Sequence, residues 1–284
     1  MIMKRFILSC LFVLICYLSA FATPQVPNRL IYNGDTLLVS LPLPDYFYTL
    51  DTVIIDSNIF VNPELNVKLF GDIETCNNSG CGRGYISTWE IIDNQLYLTG
   101  IYSCCYSTDS IKADLSLLFN EKYIDGRVKA EWISGNYITP KGKRLFYDYD
   151  MYYTGGYEYD FEFKFKKGVL KGTHLYDNRK SKQSEYHKDN NKLKKLIYSK
   201  INWDNIPKLD TIVKIYIEVS SDEKGKVDEV KIIRGFNGVF DREAIRVAKE
   251  LTGFDIYYYK GKLLRRTWMI NIIFSEENRN KYGN

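Results

Sequence analysis

The sequence predicts an α+β chain in two domains, a β-rich antiparallel sandwich or barrel-like domain followed by a β-β-α-β domain. Three observations carry that prediction. Between Thr23 and Tyr176, short runs of alternating and aromatic residues recur, most of them bounded by Gly, Asn, Asp or Pro. From Asn202 to Phe274, two period-two runs are followed by one helical repeat and a last period-two run. Between these regions lies a charged stretch without apolar periodicity, which reads as a linker. The predicted boundaries are 1–22 for an N-terminal segment, 23–176 for the β-rich domain, 177–191 for the linker and 192–278 for the last domain. A chain of 284 residues can give each part a core, since domains commonly have roughly 100–150 residues.

At the N-terminus, Lys4 and Arg5 precede an apolar run from Phe6 to Ala22, and Ala20, Phe21 and Ala22 form an A-x-A site before Thr23. That is the pattern of a cleaved secretory signal peptide, and it predicts export. An uncleaved anchor is the alternative, because the run sits at the low edge of the roughly 17–25 residues that span a bilayer. Membrane contact is expected only if the segment stays uncleaved.

In the β-rich region, strands are predicted at Thr36–Leu41, Thr52–Ile55, Asn66–Phe70, Tyr85–Ile92, Leu96–Tyr102, Gly126–Trp132, Leu145–Tyr149 and Tyr157–Phe165. Ile111–Phe119 is the one helical stretch. From Tyr159 to Phe165 the odd positions are aromatic and the even ones charged, as in a strand with one wet face. Tyr147, Tyr149, Tyr152, Tyr153 and Tyr157 offer a stacking platform for sugar, although core and edge packing accounts for them more simply.

Asp93 and Asn94 suit a two-residue hairpin turn. Pairing Ile92 with Gln95 then puts Tyr85, Trp89 and Ile91 on one face with Leu96, Leu98 and Tyr102, while Thr88 and Glu90 meet Thr99 and Tyr97 on the other. Carried outward, this register brings Cys81 diagonally next to Cys104, whereas Cys105 faces away. Disulfides are therefore predicted among Cys76, Cys81, Cys104 and Cys105, with Cys81 and Cys104 the best pair; Cys76 either joins Cys105 or both stay reduced. Their spacing does not fit the C-x2-C pairs of a structural zinc site, and an exported chain meets an oxidising compartment. The glycines of Ser79–Tyr85 enter a strand rather than a helix N-terminus, so they read as a turn and not as a phosphate cradle.

A net charge of +4 is small for a chain of this size, and no basic face interleaved with aromatics emerges, so nucleic acid is not an expected partner. The positive excess gathers between Asp177 and Lys195, as in a solvated connector. Two histidines, His174 and His187, leave little for a His-based triad or a multi-His metal site. The acidic run Asp148, Asp150, Glu158, Asp160 and Glu162 lacks the glycine and the closing glutamate of an EF-hand loop. No catalytic residue, metal or cofactor is predicted.

The last domain is the most regular. Val213, Ile215, Ile217 and Val219 alternate with polar residues in a first strand, Asp222–Gly225 form a turn, and Val227–Arg234 return as a second strand. Asp241 then suits a helix cap, with Ala244, Val247, Ala248 and Leu251 on one face and Gly253 at the left-handed exit. Gly261 and Lys262 turn the chain into a closing strand, where Leu264, Trp268, Ile270, Ile272 and Phe274 share the core face.

This order and these residues resemble the C-terminal domain of the TonB family of energy transducers. The shared positions are Ile201, Asn202 and Trp203 at the opening; Asp222, Gly225, Lys226 and Val227 in the first turn; and Val230–Gly235 in the second strand. Phe240, Asp241, Glu243, Ala244 and Ile245 follow in the helix, then Gly261 and Lys262, then Ile272 and Phe274 at the close. The likeness covers residues 190–275. The prolines that the family carries after the opening aromatic and after the helix are replaced here by Asp204 and by Gly253–Asp255. The family's long Pro-rich reach is missing, since the seven prolines are scattered.

The resemblance implies a non-enzymatic, periplasmic protein of the cell envelope. Its last domain would contact an outer-membrane transporter, of the TonB-dependent receptor type, or another envelope protein by β-strand addition. In the family the closing strand lies at the sheet edge, which implies Arg265, Thr267, Met269, Asn271 and Ile273 as the binding positions. The alternative is a β-rich domain that binds glycans or peptides, or acts on them as an enzyme, with the last domain serving to dock it. A deep pocket with convergent polar groups would favour that alternative.

Overall fold

The computed structural model describes residues 25–45, 63–71, 73, 79–105, 111–145 and 155–283. The N-terminal segment, Cys76, the predicted strand Thr52–Ile55, most of Leu145–Tyr149 and the tyrosines 147–153 lie outside the described residues. The fold is mixed α+β, dominated by strands, and built around two hydrophobic cores.

The first core forms from β1 (Asn28–Tyr32) onward, with β2 (Asp35–Val39) pairing back on it. Helix α1 (Pro63–Phe70) replaces the strand predicted at Asn66–Phe70. Pro63 is tolerated in the first helical turn, and Leu65, Leu69 and Phe70 are buried while Val67, which a strand would put on the same face as Leu65 and Leu69, is exposed.

Strands β3 (Tyr85–Ile92) and β4 (Gln95–Ser103) form the predicted hairpin, with Asp93 and Asn94 both at positive φ in the turn. The predicted register holds from Ile92–Gln95 to Trp89–Leu98 and then slips at a bulge, so that Thr88 pairs with Gly100. The slip puts Ile101, not Tyr102, on the buried face. Gly100 permits this close approach, since a Cβ there would lie 2.7 Å from the Tyr102 ring and 2.8 Å from Thr88 Oγ1.

Helix α2 (Leu115–Phe119) is shorter than predicted, because residues 111–113 continue alongside β4: Ser103 N–H bonds Ile111 O, and Ala113 N–H bonds Ile101 O. Asp114 caps the helix through Ser116 and Leu117 N–H. β5 (Tyr123–Ile124) and β6 (Arg127–Lys129) follow. A turn at Ala130–Ile133 cuts β6 short of the predicted Trp132 and stacks that ring on Phe119, with centroids 5.9 Å apart.

β7 (Gly135–Arg144), β8 (Tyr157–Lys166) and β9 (Val169–Asp177) complete a nine-stranded sheet with the main path β2-β1-β3-β4-β9-β8-β7. It is antiparallel except for β1, which runs parallel to β3. The two ends of the path, β2 and β7, approach each other, and Trp89, Leu96, Leu98, Ile101 and Phe163 are buried in the first core.

The second core is built on α3 (Asn190–Ser199), β10 (Val213–Ser221), β11 (Val227–Arg234), α4 (Gly238–Lys249), β14 (Thr267–Phe274) and α5 (Glu276–Tyr282), with the short hairpin β12 (Tyr258–Tyr259) and β13 (Lys262–Leu263) between α4 and β14. Its three-stranded antiparallel sheet has the order β11-β10-β14. All four alternating residues of β10 are buried, as are Ala244, Val247, Ala248 and Leu251 against them. The turn Asp222–Gly225 needs glycine at its end, because Gly225 has φ +74 and a Cβ there would meet Phe254 O at 2.7 Å.

Two expectations change in this region. Asn237, not Asp241, caps α4 by accepting Val239 N–H, while Asp241 reaches back to Phe236 N–H at 2.9 Å. Leu264 is exposed, because it precedes β14 and lies off the core face.

Residues 177–191, predicted as a solvated linker, keep most charged side chains exposed but are docked at Asn178, Ser181, Ser184 and Tyr186. Tyr186 is buried in the second core with its hydroxyl on Thr252 O, Lys182 forms an isolated antiparallel bridge with Ile256, and Ser184 N–H bonds Asp255 at 2.7 Å. Its charges outnumber its apolar residues, which is the sequence pattern of a solvated segment, yet one tyrosine and backbone pairing suffice to dock it.

Candidate functional site

β14 pairs with β10 along one side and is the outer strand of its sheet. Successive peptide groups of a strand face opposite sides, so the direction of each can be followed. Asp222 N–H bonds Lys226 O in the turn to β11, which assigns the even residues of β10 to β11. The odd ones, Val213, Ile215, Ile217 and Val219, then bond their β14 partners Phe274, Ile272, Ile270 and Trp268. The N–H and C=O groups of Thr267, Met269, Asn271 and Ile273 therefore point out of the sheet.

The far end of this edge is closed. Ile273 C=O accepts Asn278 Nδ2 at 2.8 Å, and the same residue's backbone reaches the Tyr198 hydroxyl, whose ionisation is pushed up by burial. Thr267, Met269 and Asn271 remain exposed, with Met269 at 60% the most open apolar side chain of β14. Behind them Trp268 is half-buried between Phe254 and His187, with ring centroids at 5.3 and 5.0 Å. His187 Nε2 in turn lies 2.8 Å from Asp255 Oδ2.

Of the five predicted binding positions, the structure brings three, Thr267, Met269 and Asn271, to one open stretch. Ile273 lies on the same line but packs against the second core. Arg265 does not belong to the edge. It precedes β14, and its guanidinium crosses the sheet face to Asp228 at 2.6 Å and Ser220 Oγ at 2.7 Å. Asn278, Tyr198 and His187, which frame the edge, were missed by sequence reasoning, because nothing local in the sequence ties α3 or α5 to β14.

The opposite edge is different. β11 presents Asp228, Glu229, Lys231 and Arg234, and its pairing with β10 is broken by irregularities at Tyr216/Ile217 and at Ser220/Ser221. Charges and bulges are the devices that keep a sheet edge from pairing. β14 has neither: Thr267–Phe274 is uncharged and its register with β10 is unbroken.

The cysteines are arranged as predicted where they are described. Cys81 and Cys104 form a disulfide with Cα atoms 6.1 Å apart. Cys105 is buried and also disulfide-bonded; Cys76, its expected partner, lies outside the described residues. Cys81 sits in a 3-10 turn rather than on an extended β3, and Arg83 ties that turn to Val26 O.

Among the described residues, no group of three or more His, Cys, Asp or Glu converges to hold a metal ion, and no helix is long and apolar enough to cross a membrane. A recess of about 400 Å³ beside β5 and β6 is lined by Tyr97, Ile124 and charged residues including Glu121, Arg127 and Glu131. Most of them are exposed, so no buried polar group converges there. No protein-family model, curated protein or solved structure matches this chain.

Proposed function

We propose that this chain is an exported, non-enzymatic binding protein of the cell envelope, acting in the periplasm. In this reading its C-terminal β-β-α-β unit is TonB-like and takes up an extended segment of an envelope protein, of the outer-membrane receptor type, as a fourth strand on β14. The observation that carries the reading is the contrast between the two sheet edges: β11 is charged and bulged, whereas β14 is regular and uncharged with outward peptide groups at Met269 and Asn271. Main-chain hydrogen bonds would supply affinity, and the exposed Thr267, Met269 and Asn271 side chains selectivity. The helix-strand order and the Asp222–Gly225 turn support the family likeness.

The test is a photo-crosslinking residue placed at Asn271 or, on the other edge, at Glu229, in cells expressing the full chain. Asn271 should give a discrete adduct whose crosslinked peptide maps to an exposed segment of one envelope protein, and Glu229 should not. Adducts from neither position, or equally from both, would rule the reading out.

A further inference from the structure

We propose that the β12–β13 hairpin is a coupling arm that ties β14 to the nine-stranded sheet, so that a load or ligand acting on one is felt at the other. On β8, Asp160 and Glu162 face the same side and are 2% and 8% exposed. Burying two carboxylates two residues apart is costly unless each is paired. The hairpin tip supplies the pairing. Lys260 N–H donates to Asp160 Oδ2 at 2.7 Å, and Lys260 Nζ reaches Glu162 Oε2 at 3.2 Å. Tyr176, from β9, adds its hydroxyl to Glu162 at 3.3 Å. Gly261 N–H donates to Asn178 Oδ1 at 2.9 Å, and Asn178 is itself 2% exposed.

The other end of the arm is equally fixed. Leu264 N–H bonds Tyr257 O, Tyr258 N–H bonds Ser181 Oγ, and Arg266 lies over the Tyr257 ring at 4.2 Å. β14 begins at Thr267, immediately after, and Arg265 pins that junction to Asp228 on β11. On the far side, β8 continues into Phe163 and Phe165 of the first core. A continuous run of paired groups thus leads from the edge strand into the other core. Displacing β14 along its axis pulls on Lys260, and loosening β8 removes the partners of the arm; such coupling acts equally in both directions. The inference stands whether or not β14 takes up a partner.

Lys260→Asn tests it in the full chain. Lys260 has φ +50, which Asn tolerates, so the change removes the ammonium without straining the turn. Calorimetry and peptide-resolved hydrogen exchange are the readouts. The wild type should unfold in one transition. The variant should unfold in two, with exchange at least tenfold faster in both 157–166 and 267–274. Adding Glu162→Gln removes the orphaned charge but does not restore the tie, so protection should return in 157–166 while 267–274 stays fast. Unchanged exchange, acceleration confined to 258–263, or recovery of 267–274 in the double variant would each overturn the proposal. If Lys260→Asn alone does not fold, recovery of folding by the double variant supports the pairing and failure to recover overturns it.

Discussion

Glu243 Oε1 accepts the backbone N–H of Asn202 at 2.7 Å, joining helix α4 to the segment that leads into β10 across 41 residues of sequence. The same carboxylate takes Arg246 at 2.6 and 2.8 Å, and Arg246 goes on to Lys200 O and Glu250. Glu243 is almost fully buried, so the network cannot be replaced by water without rearrangement. Glu243→Ala should therefore cost about 1–3 kcal/mol, the range for orphaning a buried donor. Glu243→Gln, which keeps an acceptor for Asn202, should cost less. Urea unfolding followed by tryptophan fluorescence measures both; equal losses would mean that the Asn202 bond contributes nothing.

The Cys81–Cys104 bond closes a loop across the β3–β4 hairpin and fixes the 3-10 turn from which β3 starts. Cys81→Ser should cost roughly 2–5 kcal/mol, mostly by releasing the unfolded chain. Cys104→Ser should cost the same, and the double variant no more than either single one. Chemical denaturation of the three variants decides this, with alkylation and mass measurement of the wild type as control. Free thiols at both positions in the folded protein would refute the pairing.

Two exposed carboxylates set a pH dependence whose sign follows from their contacts. The Arg179 side chain, and then its backbone N–H, hold Asp177 down from 3.8 to about 2, and Lys226 and Lys224 N–H groups lower Asp222. Folding favours the deprotonated form of each. Their stabilising contribution is therefore complete above the ordinary carboxylate value and is lost as pH falls through the lowered one. Carboxyl carbon NMR should give a midpoint near 2 for Asp177 and one below 3.8 for Asp222. Midpoints at or above 3.8 would contradict the contacts.

The second core was legible because its signals are local. β10 alternates, α4 repeats, and Asp222 with Gly225 mark the turn, so the element order and the buried faces of β10 and α4 follow from sequence, although α4 begins at Gly238, ahead of the expected Asp241. The first core was legible only in part, and for physical reasons. β7 contains Pro140, which argues against a strand, yet β7 ends the sheet path, where a missing N–H is tolerated. β9 buries almost none of its residues and so carries no alternation. The slip at Gly100 depends on the Tyr102 ring fitting against a glycine, which no periodicity encodes. At the edge, the strand itself could be read, but its stop at Ile273 depends on Asn278 folding back from α5.

That stop makes position 271 the sharpest test of strand addition. Asn271 N–H points away from β10, whereas Ile270 N–H faces Ile217 across the ladder. Proline removes one backbone donor at either site, and an edge strand tolerates it only where the donor was unbonded within the fold. Asn271→Pro should leave the urea midpoint nearly unchanged, while Ile270→Pro should lose at least about 3 kcal/mol, through an orphaned acceptor on β10 and the loss of a buried side chain. If those stabilities are reversed, the outward direction of the 271 peptide is wrong. Given a folded Asn271→Pro variant, the adduct formed by a photo-crosslinker at Met269 reads out binding. Its disappearance at unchanged stability is the result expected from a partner strand bonded to the 271 peptide, and full retention would place any partner elsewhere.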